Sequence, residues 1–219
     1  MDRRTFMTAT GAIAAGATAI GAGESAEAKD GGARDYYELR QYIFETDEQI
    51  AGFHTYMKEA AIPAYNRIGI KPVGVFEPQK ADSTVWVLLR HASVDSFATA
   101  TSKLLADKKY LKKGADFLDA DPKTPAFSRV ETSFMKSFAG IPTIEQPNTG
   151  DGRVFELRRY MSPTVKAGQK KIEMFNNGEI DIMRRVGMGP VIYGEHLTGP
   201  DMPNLTYILS YPSMRERGA

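Results

Sequence analysis

The chain has 219 residues, with 28 lysines and arginines against 27 aspartates and glutamates, and a formal net charge of +1. This balance gives no overall field that would attract nucleic acid or an anionic membrane surface. The chain contains no cysteine, which excludes disulfide bonds, thiolate catalysis and cysteine-ligated metals. Stability therefore has to come from apolar cores and from packing between elements.

The first 28 residues have the layout of an export signal. The twin arginine Arg3-Arg4 precedes a weakly apolar run, and a small-residue Ala-Glu-Ala site ends at Ala28. This order is typical of a twin-arginine signal peptide, and the run is too glycine-rich to span a bilayer, which takes about 20 apolar residues. We expect 1–28 to be removed and the protein to reach the periplasm or cell envelope of a bacterium.

The predicted elements of the first copy of an internal repeat cover 35–139. Alternating aromatic residues indicate a first strand, and Thr46 or Asp47 begins a helix that ends before Gly69, with Pro63 expected to kink it. A hairpin, a second helical region and a last strand follow. The predicted elements are a strand at 35–44, a helix at 46–68, strands at 71–77 and 84–91, a helical region at 94–118 and a strand at 128–138.

A linker rich in proline, asparagine and glycine, 140–152, separates this copy from a second one at 153–219. The hexapeptide at 37–42, Tyr-Glu-Leu-Arg-Gln-Tyr, returns at 155–160 as Phe-Glu-Leu-Arg-Arg-Tyr. The offset, 156 − 38 = 118, holds without a gap as far as Glu77 and Glu195. Two copies of one small unit are therefore expected. The predicted elements of the second copy are strands at 153–161, 190–196 and 205–211 and a helix at 164–186.

The order β-α-β-β-α-β predicts an α+β fold of tandem ferredoxin-like repeats. Beyond the second hairpin the alignment places Leu88 opposite Leu209, an offset of 209 − 88 = 121 that makes that hairpin loop three residues longer. His91 then corresponds to position 212, so we expect the second copy to lack its last helix and strand. Either the sequence is truncated, or the unpaired strand edge that such a copy leaves is covered by a partner chain, which could be a second copy of the protein.

Alternation along the repeated strand divides its side chains between two faces. We expect the apolar side chains to face the helices and the polar ones to line the space between two paired sheets. There an acid, a guanidinium and a phenol could bind a small polar ligand or a protein partner. The alternative is that each Glu-Arg pair is a structural ion pair. The polar candidates are Glu38, Arg40, Tyr42, Glu156, Arg158 and Tyr160.

The duplicated strand, and the helix that ends in Arg-Ile-Gly or Arg-Val-Gly before a Pro-Val strand, resemble the NIPSNAP family from Tyr36 to Tyr211. The resemblance implies the dimeric α+β-barrel architecture, here formed within one chain. It implies little about activity, since neighbouring barrel families include cofactor-free monooxygenases and haem proteins.

No residues are spaced as a metal site, a phosphate-binding loop or a nucleophile elbow. His54 maps to Ile172 in the second copy and is the catalytic candidate, as a proton carrier or haem ligand, although a core histidine with a polar partner is the commoner case. His91 and His196 stand at strand ends and are expected to reach solvent. Glu77 and Glu195 could serve as paired acid–base carboxylates, or could repeat only because a structural hairpin was duplicated.

Two functions are compatible with these residues. The first is an exported protein, without a required cofactor, that binds a small ligand or a protein partner through the barrel cavity. The second is an α+β-barrel oxidoreductase that is cofactor-free or uses haem bound by His54.

Overall fold

The computed structural model describes residues 32–79 and 83–218, so the predicted signal peptide lies outside the described residues. The strands of the first copy are β1 (Tyr36–Ile43), β2 (Val73–Phe76), β3 (Thr84–His91) and β4 (Arg129–Ser137). Its α-helices are α1 (Asp47–Tyr56), α2 (Ile62–Arg67), α3 (Val94–Leu105) and α4 (Lys108–Leu118). The second copy has strands β5 (Val154–Met161), β6 (Gly189–Thr198) and β7 (Asn204–Tyr211) and helices α5 (Val165–Met174), α6 (Ile180–Arg185) and α7 (Met214–Arg217).

All the described strands join one antiparallel seven-stranded sheet in the order β2-β3-β1-β4-β6-β7-β5. The first four strands have the ferredoxin-like arrangement, and β4 pairs with β6 to carry the sheet into the second copy. The edge strands β2 and β5 approach each other: the ring centroids of Phe76, in β2, and Phe155, in β5, lie 5.0 Å apart. The α+β fold with tandem ferredoxin-like repeats and a curled sheet of the α+β-barrel type is therefore confirmed.

The long helix of each copy departs from α-helical geometry at the same place. Met57–Ala61, which is π-helical, separates α1 from α2, and Phe175–Glu179 separates α5 from α6, an offset of 175 − 57 = 118. The second segment is a kink, because Asn177 and Gly178 have non-helical backbone angles. Pro63 follows the first segment, where we expected it to kink the helix. The second copy has Asp181 there and is kinked nonetheless, so proline is not the common cause of this irregularity.

The helical region predicted at 94–118 consists of two helices. Asp107 lies between them, and its carboxylate accepts hydrogen bonds from the backbone N–H groups of Lys109 and Tyr110. This is an N-cap, which begins α4 as a separate helix. The same carboxylate pairs with Arg67 at the end of α2, so the break between α3 and α4 is tied to the preceding helix.

Strand pairing corrects the alignment of the second hairpin. Glu38 lies opposite Leu89, and its counterpart Glu156 lies opposite Leu209. The offset in this hairpin is therefore 209 − 89 = 120, and the loop is longer by 120 − 118 = 2 residues rather than three. The counterpart of His91 is Tyr211, at 91 + 120 = 211.

Three apolar clusters hold the molecule together. One lies between the first half of the sheet and α1 to α4, and a second lies between the other half and α5 and α6. The third lies on the opposite face of the sheet, where the two halves meet, and its members are Tyr37, Leu39, Leu88, Met135, Val191, Ile192 and Ile208. Within 32–79 and 83–218, no helix has the length and apolar character needed to cross a membrane.

Candidate functional site

The repeated strand presents its polar side chains to the helices and its apolar side chains to the other half of the sheet. Tyr37 and Leu39 belong to the cluster between the two halves. Arg40 instead donates a hydrogen bond to the hydroxyl of Tyr65 in α2 at 2.9 Å, and Tyr42 packs on Phe53 in α1. The expectation that the Glu-Arg-Tyr face lines the space between the sheets is therefore wrong.

The reason is that both faces of the sheet are covered. The space between the halves is lined by strands from both sides, so it is filled by the most apolar side chains, each stabilised by roughly 1.5–3 kcal/mol on burial. The helix side can accept an arginine, because its long apolar stem lies along the sheet while Tyr65 and Glu38 satisfy its guanidinium.

A chain of buried polar groups runs under the helices of the first copy. The Glu38 carboxylate accepts from Arg40 Nε at 2.6 Å, and its other oxygen lies 3.3 Å from His91 Nε2. His91 Nδ1 lies 3.1 Å from the hydroxyl of Ser96 in α3. A neutral imidazole with its proton on Nε2 satisfies all of these groups, donating to Glu38 and accepting from Ser96. The chain thus joins β1, β3 and α3.

This arrangement keeps Glu38 ionised although it is buried. Burial raises the pKa of the carboxyl, but the hydrogen bond from His91 and the charge of Arg40 outweigh that effect, so the pKa lies below its usual value. The pKa of Arg40 is raised, because the tyrosines and Glu38 around it more than offset its desolvation. The group therefore behaves as a buried ion pair.

The second copy repeats the arrangement with different partners. Arg158 Nε lies 3.1 Å from the Glu156 carboxylate. Tyr211, which occupies the position that His91 has in the first copy, donates a hydrogen bond to that carboxylate at 3.2 Å. Tyr207 joins the group by donating to Tyr160 at 2.8 Å. The Glu156 side chain is 19% exposed, against 4% for Glu38. Arg217 also donates to the Glu156 carboxylate at 2.9 Å, so the two repeated groups differ both in burial and in partners.

The histidines differ from their predicted surroundings. His54 is 39% exposed and its Nε2 lies 3.4 Å from the Glu77 carboxylate. His91 and His196, expected to reach solvent, are both buried. His196 Nε2 lies 2.8 Å from the Thr206 hydroxyl, and burial, with the charge of Arg159, lowers the pKa of this imidazole to about 4.

Glu77 and Glu195 are not neighbours along the sheet. Glu77 directly follows β2, at one edge of the sheet, whereas Glu195 lies in β6 opposite Lys136 of β4. The strands β3, β1 and β4 stand between them in the sheet order. Glu77 and Glu195 therefore belong to two separate hairpins.

A concave site between the helices of the first copy involves none of the predicted candidates. A cleft of about 710 Å³ lies between α1, α4 and the segment 120–126. Tyr56 and Phe117 contribute to its lining and stack with their ring centroids 4.1 Å apart. At Gly52 in α1, an added Cβ would meet no atom within 4 Å, so this position opens onto free space. Gly114 in α4 lies close to Tyr56, where a Cβ would come within 3.3 Å of the ring.

The Gln49 side chain connects two segments of the cleft lining. Gln49 donates to the Pro125 carbonyl at 2.7 Å, and its Oε1 accepts from the backbone N–H of Glu45 at 2.7 Å. The start of α1 is thereby tied to the loop before β4. A glycine inside the predicted helix, Gly52, was the signal in the sequence that could have indicated this site.

The cleft also meets a pair of buried phenols. The hydroxyls of Tyr56 and Tyr110 lie 2.7 Å apart, and burial raises the pKa of both. His54 does not line the cleft. No group of three or more histidine and acidic residues able to hold a metal ion occurs among residues 32–79 and 83–218.

These features define an α+β protein of the dimeric α+β-barrel type with a cleft between its helices. A protein from Lactobacillus acidophilus NCFM, provisionally named a monooxygenase, has the same fold: the TM-score is 0.54 at 8% identity, over 84% of this chain and 80% of that one. A provisionally named monooxygenase from Fusobacterium nucleatum gives a TM-score of 0.56 at 8% identity, over 84% and 79% of the two chains.

The resemblance to the NIPSNAP family is also found among solved structures. A NIPSNAP-like domain protein from Burkholderia xenovorans is 15% identical, with a TM-score of 0.42, over 53% of this chain and 98% of that one. No protein-family model matches the chain, and no curated protein is similar to it.

Proposed function

We propose that the chain is an exported protein that binds a small ligand with a flat apolar body in the cleft between α1 and α4. The observation that carries this proposal is the cleft itself. Its volume of about 710 Å³ lies within the range of small-molecule sites, about 300–1,000 Å³. The third apolar cluster fills part of the space between the sheets, where we expected the ligand, and the cavity that remains there, lined by Phe76, Leu88, Phe155 and Val191, is smaller, at about 370 Å³.

The lining of the cleft supports an apolar ligand over a strongly polar one. Tyr56 and Phe117 contribute aromatic side chains to the lining, and Gly52 leaves free space on the same side of α1. The polar groups nearest to this surface are already paired, since the Tyr56 hydroxyl bonds to Tyr110 and Gln49 bonds to the Pro125 carbonyl. A ligand would therefore gain most from burying apolar area against the rings.

Filling the cleft tests the proposal. Gly52→Phe places a ring where no atom lies within 4 Å of the new Cβ, so the variant should fold and block the cleft. Ala51→Phe is the matched control, because Ala51 is the preceding exposed position of α1 and does not line the cleft. A thermal-shift screen with small aromatic compounds should yield ligands that raise the Tm of the wild type and of the control, but not of Gly52→Phe. Equal shifts in all three proteins would exclude this cleft as the site.

Export is tested separately. Arg3→Lys combined with Arg4→Lys changes only the predicted signal, and cell fractionation should then recover the protein in the cytoplasm. Unchanged recovery from the periplasm would contradict the twin-arginine assignment.

The buried phenol pair favours a second candidate function, an oxidoreductase that acts on electron-rich aromatic compounds. Tyr56 lines the cleft and shares a hydrogen bond with Tyr110, so a bound phenol or quinol would meet a proton-transferring group. The shared fold of two provisionally named monooxygenases supports this function only loosely, at 8% identity.

The test is oxygen consumption with hydroquinones by the purified protein, compared between wild type and Tyr56→Phe. Turnover by the wild type that falls at least tenfold in the variant would support an enzyme. Absence of turnover, or turnover that the variant retains, would refute the role of Tyr56. A visible spectrum after haem supplementation tests the haem alternative, which the position of His54 outside the cleft does not favour.

A further inference from the structure

More acidic than basic side chains line the cleft, and fewer of the acidic ones have a partner of opposite charge. Three carboxylates line it, those of Glu45, Glu48 and Asp116, and two ammonium groups, those of Lys113 and Lys123. If all are ionised, the lining carries a net charge of 2 − 3 = −1. The pKa of Glu48 lies below its usual value, because its own backbone and Thr46 donate hydrogen bonds to it.

Pairing makes the imbalance larger. Lys113 Nζ lies 3.3 Å from the carboxylate of Glu59, which is outside the cleft lining, so this lysine is already neutralised. Glu48 and Asp116 have no ion-pair partner within the part of the chain that the structure describes. A ligand in the cleft would therefore meet one ammonium group without an acidic partner among the described residues, that of Lys123, and three carboxylates, those of Glu45, Glu48 and Asp116.

The positive end of α1 does not reverse this balance. A helix N-terminus attracts anions through its free N–H groups. Here the Thr46 hydroxyl accepts from the backbone of Gln49, and the Gln49 side chain accepts from the backbone of Glu45 and Thr46. This capping box occupies the N–H groups of Thr46 and Gln49, and the Glu48 carboxylate accepts from its own backbone N–H, so fewer donors are left for an anion.

We infer that the ligand of this cleft is an aromatic or other flat apolar compound that carries a protonated amine. This inference rests on the proposed function and adds the charge of the ligand to it. The apolar body lies against Tyr56 and Phe117, and the ammonium group lies among Glu45, Glu48 and Asp116.

Three probes of matched shape test the charge preference. 1-Naphthylmethylamine, 1-naphthylmethanol and 1-naphthoate differ mainly in carrying a positive, zero or negative charge near neutral pH. Isothermal titration of the purified protein should give the tightest binding for the amine, about three- to tenfold tighter than the alcohol at low salt. The preference should shrink at about 0.3 M salt, where the screening length falls below about 8 Å.

The double variant Glu48→Gln/Asp116→Asn tests which groups are responsible. It should bring the affinity for the amine close to that for the alcohol while leaving the alcohol unaffected. The control is Glu173→Gln/Asp151→Asn, which removes the same charge at exposed positions that do not line the cleft. A preference that is reduced equally in both variants would reflect net charge alone and would overturn the assignment.

The outcomes separate the inference from the proposal beneath it. If the probes bind but naphthoate binds as tightly as the amine, the charge assignment is wrong and ligand binding stands. If none of the three binds, or if all bind Gly52→Phe as well as the wild type, the proposed cleft site is wrong and the inference fails with it.

Discussion

Removing the charge of Glu38 measures what the buried polar chain contributes to stability. Its side chain is 4% exposed and that of its partner Arg40 is 20% exposed. Glu38→Gln keeps the shape of the side chain but leaves the guanidinium without a carboxylate. Breaking a buried ion pair from one side costs about 3–5 kcal/mol. Because Arg40 retains Tyr65 and some contact with solvent, we expect the free energy of unfolding to fall by about 3 kcal/mol, at the lower end of that range.

The second copy supplies the control. Glu156→Gln removes the same group from the same position of the repeat, but Glu156 is 19% exposed and its partners Arg158 and Arg217 are 31% and 44% exposed. Solvent can replace part of the lost interaction, so the cost should be about 1 kcal/mol. Urea denaturation followed by far-UV circular dichroism measures both losses.

The pH dependence gives an independent check. The pKa of Glu38 is lowered from its usual 4.5, since the hydrogen bond from His91 and the charge of Arg40 outweigh the effect of burial. The stabilisation is therefore complete above the unfolded pKa and is lost as the pH falls through the lower pKa of the folded state. The difference between wild type and Glu38→Gln should therefore be constant well above the unfolded pKa of 4.5 and should shrink as the pH falls below it. Equal losses for Glu38→Gln and Glu156→Gln, or a difference that does not change with pH, would refute this explanation.

Other predictions concern packing, titration and capping. Gly194→Ala should destabilise by about 1–3 kcal/mol, because its Cβ would lie 2.8 Å from that of Met135 where β4 meets β6; a normal urea midpoint would contradict this. Burial lowers the pKa of His196 from 6.5 to about 4. The free energy of unfolding of the wild type should therefore fall by up to about 3 kcal/mol as the pH drops from 6.5 to 4, a pH dependence that His196→Gln should lack. Ser93→Ala should cost about 1 kcal/mol, since Ser93 caps α3 by accepting from the backbone of Ser96; an unchanged Tm would show that the cap is dispensable.

The fold could be predicted from the sequence because it depends on a pattern that occurs twice. The strand and helix order and the end of each long helix follow from periodicity and turn residues. The offset of the second hairpin was wrong by one residue, since Leu88, Leu89 and Leu209 look alike in sequence and only strand pairing distinguishes them.

The site could not be predicted in the same way. Alternation separates Glu38 and Arg40 from Tyr37 and Leu39, but it does not say which face meets helices and which meets strands. The cleft depends on the distance between α1 and α4, which no local pattern encodes. Gly52, a glycine inside a predicted helix, indicated only that this helix face has a special packing or functional role.

The repeat also limits where the function can reside. The counterpart of Gly52 is Lys170, at 52 + 118 = 170, so the second copy places a long charged side chain where the first opens its cleft. The polar strand group is kept in both copies, whereas the cleft-forming glycine is present only in the first. A feature common to both copies is best explained by what both share, which is the packing of helices on the sheet. We therefore interpret the Glu-Arg groups as structural ion pairs and expect the proposed ligand binding in the first copy alone.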